Sequence, residues 1–431
     1  MSEAESKRAF YRQGSWMVIA TFVSGLLMFA VHVFGGWMSS EEYGLFVTLV
    51  QILNLIMIPA LGLQTVFAQQ TAAAIKLEQQ IDLAKSTHKM LLICLCVWMA
   101  IALVVAAFRE PIIESLKIAN PVALSVTVLL GLPQLWLPVL LGILQGRQNF
   151  AWLGGAAIAN GAGRFVAVGI IVALFGGQAA GATTGVLIGL TTACLLAGWH
   201  SRQTWLGQSD TSRGIFNPKA WLDRIVPLTL GLGAGQFMLS ADMIAARMIL
   251  PEADSGPYGA AGMIGRGLVV FTAPLAAVMF PKLVREAAGA KSRVLGQAFL
   301  GTAVLGMLAG IGCTLAAWLL PSIIDNFPTL AGKKKIITEI TPLIPYFIWS
   351  MLPLALGNVF VAALLAKQRY RTVPWLVGIA LAYGLTLAWL ANSAELPSPR
   401  TIILTLGGFN LTYLGTSAAL AKLYAATPEC R

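Results

Sequence analysis

Charge is what this sequence has least of. Lys, Arg, Asp and Glu make up 11% of its 431 residues, against about 25% in a soluble domain, too little to cover a water-facing surface of this size. Acid is scarcer than base, at 18 residues against 29, and only Asp242 lies well inside an apolar block rather than at its edge. The five cysteines (Cys94, Cys96, Cys194, Cys313, Cys430) form no disulfide framework. Four of them fall in apolar stretches, and Cys94-Leu-Cys96 lacks metal-ligand spacing on a helix, so they read as small packing residues. Long polar stretches are missing too: the longest runs from about 201 to 221. That leaves no external loop large enough for the catalytic cluster of a membrane-embedded polysaccharide polymerase or glycosyltransferase. No metal, cofactor or nucleic-acid site is expected. The strict alternation of barrel strands is also absent.

What is there is apolar and continuous. Hydrophobic residues are 57% of the chain, gathered in blocks of 20 or more, each long enough to cross about 30 Å of hydrocarbon as a helix. The blocks predict an all-α polytopic membrane protein with spans near 15–38, 44–68, 89–108, 121–145, 150–175, 179–200, 222–250, 257–281, 295–320, 341–365, 373–392 and 401–423. The first stretch has no small-residue cleavage site after it and reads as a retained helix. With the N-terminus in the cytoplasm, one set of connections holds 20 of the 29 basic residues and the opposite set six, the rest lying inside spans. The excess of Lys and Arg on one side predicts that both termini are cytoplasmic. The run Lys333 to Lys335 on the outer side departs from this rule.

Two acidic outer segments, SSEEY (39–43) and PEADSGPY (251–258), lead to an internal repeat. At an offset of 215, Tyr43-Gly44 falls on Tyr258-Gly259 and Pro59 on Pro274. At an offset of 220, Leu132-Pro133 falls on Leu352-Pro353, Leu144 on Leu364, Arg147-Gln148 on Lys367-Gln368 and Phe150 on Tyr370. The repeat predicts an N-terminal six-helix lobe (1–205), a cytoplasmic linker (206–220) and a C-terminal six-helix lobe (221–431). Six spans is an even number, so the lobes would be parallel repeats about an axis along the membrane normal, with a cavity between them that opens to alternate sides.

Charges at membrane depth cost a few kcal/mol each and mark candidate sites. Arg164 lies mid-span, with Asn160 one turn earlier on the same helical face. Asp242 and Arg266 are each about eight residues from the outer ends of neighbouring spans, at a depth where they can pair. Arg247 lies nearer the surface, where a long side chain can snorkel to the interface. By the repeat, Arg266 corresponds to Gln51 and Arg247 to His32. Three arginines against one aspartate make a cationic cavity, and arginine forks suit pyrophosphate oxygens. Each candidate also has a bland reading: Asp242 with Arg266 as a purely structural ion pair, the span glycines as close-packing positions, and Trp16, Trp37, Trp199, Trp221 and Trp375 as interfacial anchors.

The segment from Gly14 to Ala73, above all EEYGLFVTLVQILNLIMIPALGLQTVFAQQTA, resembles the opening of the polysaccharide transporter family, which includes the Wzx-type O-antigen flippases. LSADMIAARMILPEADSGPYGAAGMIGRGL (239–268) is similar to that family's seventh and eighth helices, and the Arg-Gln and Lys-Gln pairs after spans four and ten fit its pattern. The resemblance implies the fold of the multidrug/oligosaccharidyl-lipid/polysaccharide (MOP) superfamily, with two pseudo-symmetric six-helix lobes around a central cavity, as in its multidrug (MATE) branch. It also implies a transporter of the bacterial inner membrane that flips an undecaprenyl-pyrophosphate-linked oligosaccharide for O-antigen lipopolysaccharide, capsule or exopolysaccharide biosynthesis, with a proton or sodium ion as possible coupling ion. The alternative is a cation-coupled drug antiporter of the same superfamily, whose site needs membrane carboxylates. A channel lacks support, since no pore ring repeats.

Overall fold

In the computed structural model, residues 3–206, 218–286, 293–325, 334–393 and 396–426 are described. Most of the expected linker and Lys333 lie outside them. The described residues contain fifteen α-helices and no strand. They are α1 (Glu3–Ala30), α2 (Ser40–Ile56), α3 (Ile58–Ala73), α4 (Leu77–Ala107), α5 (Arg109–Ser115), α6 (Val122–Gly146), α7 (Phe150–Val168) and α8 (Gln178–Trp205). There follow α9 (Pro218–Ile249), α10 (Glu252–Glu286), α11 (Arg293–Asp325), α12 (Lys334–Ile340), α13 (Ile344–Ala366), α14 (Val373–Ala391) and α15 (Pro399–Ala426). Eleven spans are long and apolar enough to cross a membrane. The 35-residue α10 supplies the remaining long helix where a span was expected. Side chains such as Phe175, Trp318 and Leu385 stay 72% or more exposed, as they would against lipid.

The expected spans are recovered with three instructive differences. The two acidic outer segments are helix starts rather than loops: Glu41 and Glu42 occupy the first turn of α2, and Glu252 and Asp254 that of α10. Carboxylates there offset the positive end of the helix dipole, so acidity marked a helix end. Second, α4 begins twelve residues before its apolar block. The Gln79 side chain closes that early start by accepting hydrogen bonds from the backbone of Ile75 and Lys76, both at 3.0 Å. Third, the second span is two helices, α2 and α3, interrupted at Met57. Pro59, in the first turn of α3, has no N–H to continue the ladder of α2.

The repeat is visible in the backbone. α6 and α13 both carry an internal proline, Pro133 and Pro353. Both end on a non-glycine residue in the left-handed region, Gln148 at φ 56° and Gln368 at φ 54°. Each closes its helix with the same two bonds: Gln148 and Asn149 N–H to the carbonyls of Gln145 and Leu144, and Gln368 and Arg369 N–H to those of Leu365 and Leu364. This is the Schellman pattern that satisfies the last orphan carbonyls of a helix. The short helices α5 and α12 likewise follow the third and ninth spans, so Lys334 and Lys335 open a helix that has a counterpart in the first half.

Packing divides the chain into two units, Met1–Ser39 with Ile56–Thr229, and Ser40–Leu55 with Leu230–Arg431. The division differs from the sequence boundaries at two places: most of α2 groups with the second half of the chain, and the start of α9, as far as Thr229, groups with the first. In the first unit, Phe67, Val139 and Ile143, all 0% exposed, centre a core built from α3, α4 and α6, and α7 packs against α8 and α1. In the second, α13 is the hub, packed on α10, α11 and α15.

Candidate functional site

Arg164 and Asn160 fall in the first unit, on α7. The Arg164 Nε donates to Asn160 Oδ1 at 2.8 Å, the one-turn pairing that their spacing predicts. Asn160 is buried and Arg164 half-buried. Among the described residues no carboxylate pairs with this guanidinium, and its two terminal nitrogens carry no protein hydrogen bond. Small residues bring α8 this close. A Cβ on Gly163 would lie 2.8 Å from Gly189 Cα, and one on Gly189 would press on the Arg164 backbone and its Cγ. The glycine contact fixes the base of the arginine side chain and leaves its fork unengaged.

Arg266 and Asp242 fall in the second unit, and there they meet. Arg266 Nη2 lies 2.6 Å from Asp242 Oδ2, so the two arginines differ in kind. Asp242 is 0% exposed and Arg266 2%, which places the pair in the packed interior of the unit rather than on a cavity wall. Arg266 Nε donates to the Leu239 carbonyl at 2.8 Å, and the Tyr258 hydroxyl donates to Asp242 Oδ2 at 3.0 Å. The guanidinium also lies 5.9 Å from the centre of the Phe347 ring, and Tyr258 meets that ring edge-on. Gly262, one turn before Arg266, has no side chain to obstruct the fold-back of the guanidinium.

Arg247 does not snorkel. It is 1% exposed and donates from Nη1 to the Glu41 carbonyl at 3.1 Å and to Ser255 Oγ at 2.6 Å. Its surface position in sequence became an interior one because α2 and the start of α10 pack over it. The first turns of those helices join again where Ser40 Oγ donates to the Ala253 carbonyl at 2.9 Å. Gln51, 2% exposed, contacts Met263 on α10 and accepts from Asn54 at 3.2 Å. Four of the six candidates thus lie inside the second unit, and Arg164 and Asn160 stand together in the first.

Sequence reasoning missed Tyr258 and Tyr383 as site residues. Tyr258 precedes Arg266 by eight positions and so shares its helical face, a usable signal once the pair is suspected. Tyr383, on α14, is fully buried and in electrostatic range of Asp242. Nothing in the sequence ties it to α9. Among the described residues, no group of three or more His, Cys, Asp and Glu could hold a metal ion. Outside the spans, burial lowers the pKa of Arg147 from its ordinary value.

The fold is similar to that of solved MOP-superfamily transporters. A multidrug-resistance MATE family transporter in its inward-facing conformation matches with a TM-score of 0.72 and 13% identity, over 95% of this chain and 94% of that one. The lipid II flippase MurJ in an inward closed conformation matches with a TM-score of 0.70 and 15% identity, over 94% of this chain and 87% of that one. A MOP-superfamily transporter from Pyrococcus furiosus, described as having a binding pocket of reversed polarity, matches with a TM-score of 0.62 and 14% identity, over 97% and 95%. No protein-family model and no curated protein matches the sequence.

Proposed function

We propose that this protein is a transporter that flips an undecaprenyl-pyrophosphate-linked oligosaccharide across the bacterial inner membrane for cell-surface polysaccharide biosynthesis. The observation that carries the reading is Arg164: a half-buried guanidinium at membrane depth, held by a neutral amide, with no carboxylate partner among the described residues. Placing an arginine in a span costs a few kcal/mol, and an anionic ligand offsets that cost where the environment is poorly hydrated. A pyrophosphate offers the paired oxygens that the two terminal nitrogens can clasp. Asn160, with its amide NH2 group, stands beside the fork to hydrogen-bond the same headgroup. The MOP fold supports transport over catalysis, and among its members the lipid II flippase MurJ has a lipid-linked cargo by its name.

The drug-antiporter reading draws on the MATE neighbours, but its cation site has little to work with. Among the described residues Asp242 is the one acid well inside an expected span, and Arg266 already neutralises it. Two lobes of 1–205 and 221–431 with a cavity between them, and both termini in the cytoplasm, complete the proposal.

The test is deletion of the gene followed by analysis of lipid-linked intermediates. Accumulation of an undecaprenyl-linked oligosaccharide, cleared by the wild-type gene but not by Arg164→Ala at equal membrane abundance, is the expected result. Normal lipid-linked pools with heightened sensitivity to cationic drugs would replace the flippase by an antiporter.

A further inference from the structure

We infer that Asp242 lies in a latent site for a small monovalent cation, and that Arg266 fills this site as a tethered counter-ion. The atoms around the guanidinium are those a hard cation would use. Asp242 Oδ2 and the Leu239 carbonyl both receive Arg266 N–H groups, and the Tyr258 oxygen lies 3.0 Å from the same carboxylate oxygen. Asp242 Oδ1 and the Tyr383 hydroxyl are buried with no hydrogen-bond partner among the described residues. Carboxylate, carbonyl and hydroxyl oxygens suit alkali and alkaline-earth ions, and soft ligands are absent from the set. The site carries one formal negative charge, so a single positive charge balances it. In this chain that charge is covalently attached and cannot leave.

Among the described residues, titratable groups reach this pair from three elements. Arg266 and Tyr258 come from α10 and Tyr383 from α14, and Tyr43 on α2 is in electrostatic range of Arg266. Among these only the guanidinium is cationic. Because it is already paired at 2.6 Å, a sodium ion gains nothing at Asp242. Cation exchange at this carboxylate therefore does not drive the transport cycle. This consequence stands whatever the cargo is.

The experiment measures thermal unfolding of the purified full-length protein in NaCl, LiCl or choline chloride at constant ionic strength, from pH 5.5 to 8. The wild type is expected to unfold at one temperature in all three salts. Arg266→Gln, which removes the tethered charge, is expected to gain about 4 °C or more in sodium or lithium over choline, or on acidification as Asp242 takes a proton. The double variant Asp242→Asn/Arg266→Gln, with no charge to balance, is expected to lose that response. Recovery of folded Arg266→Gln only in sodium, lithium or acid is the same result in another form. A wild type stabilised by sodium over choline overturns the inference, because Arg266 would then leave the site open. So does an Arg266→Gln protein that responds to no cation and no proton, or one that folds under none of these conditions while the double variant folds. Since the readout is unfolding rather than transport, a wrong cargo assignment leaves these outcomes unchanged.

Discussion

Arg164 and Arg266 carry the same charged group, answered in two ways. In the second unit the guanidinium is sealed from solvent and meets a carboxylate, a carbonyl and an aromatic face. In the first it stays half-buried and meets one neutral amide from its own helix. A buried pair with both charges present is close to neutral for stability and very costly when halved, whereas an arginine with no counter-charge keeps its electrostatic attraction for something that arrives later. The difference separates an arginine whose partner is built in from one whose partner is a ligand.

Halving the pair is the severest way to press on that contrast. Arg266→Ala leaves Asp242 buried without its counter-charge and is expected to destabilise the protein by about 3–5 kcal/mol, read as a large drop in unfolding temperature and membrane abundance. If Arg266→Ala is as stable as wild type, the distinction between the two arginines collapses. Next in size is Gly189→Val, which drives a branched side chain into the α7 backbone at Arg164. Overpacking of this kind costs about 1–3 kcal/mol, and thermal unfolding should show a loss in that range.

Arg164→Ala sharpens the comparison from the other side. It removes a hydrogen bond worth about 1 kcal/mol or less to stability, yet transport should fall at least about tenfold, equivalent to about 1.4 kcal/mol, as measured by clearance of the lipid-linked intermediate. The smallest effect belongs to the helix caps. Gln148→Gly and Gln368→Gly each relieve a left-handed non-glycine residue and should stabilise by about 0.5–1 kcal/mol, by similar amounts in the two halves and without altering transport. Unequal shifts would mean that the two caps sit in different environments despite their matching backbones.

Much of this was legible in the sequence because the bilayer imposes it. Span length and apolar continuity place the long helices, and the matches at 215 and 220 residues anticipate the paired proline helices α6 and α13. Equal distance from the outer ends was enough to suggest that Asp242 reaches Arg266. What stayed hidden depends on packing partners. Hydropathy sees that Arg247 is near an end, but not that the first turns of α2 and α10 cover it. It also registers 39–43 and 251–258 as polar, which describes a loop and a helix start equally well. Periodicity assigns Ser40–Leu55 to the first half by chain order, and only tertiary contacts group it with the second. Tyr383 is out of reach for the same reason: 141 positions separate it from Asp242, and no spacing rule extends that far.

The matched caps at Gln148 and Gln368 say something about descent. A left-handed glutamine is an uncommon way to finish a helix, since glycine does it with less strain. Finding that unusual solution twice, each time after a proline-containing helix and with the same pair of closing bonds, is simplest if one ancestral bundle was copied and both copies kept the habit. The two arginines are not copies of one another, since Arg266 falls on Gln51 by the repeat, so each charge belongs to one half alone. The history of duplication thus survives in the way two helices are closed.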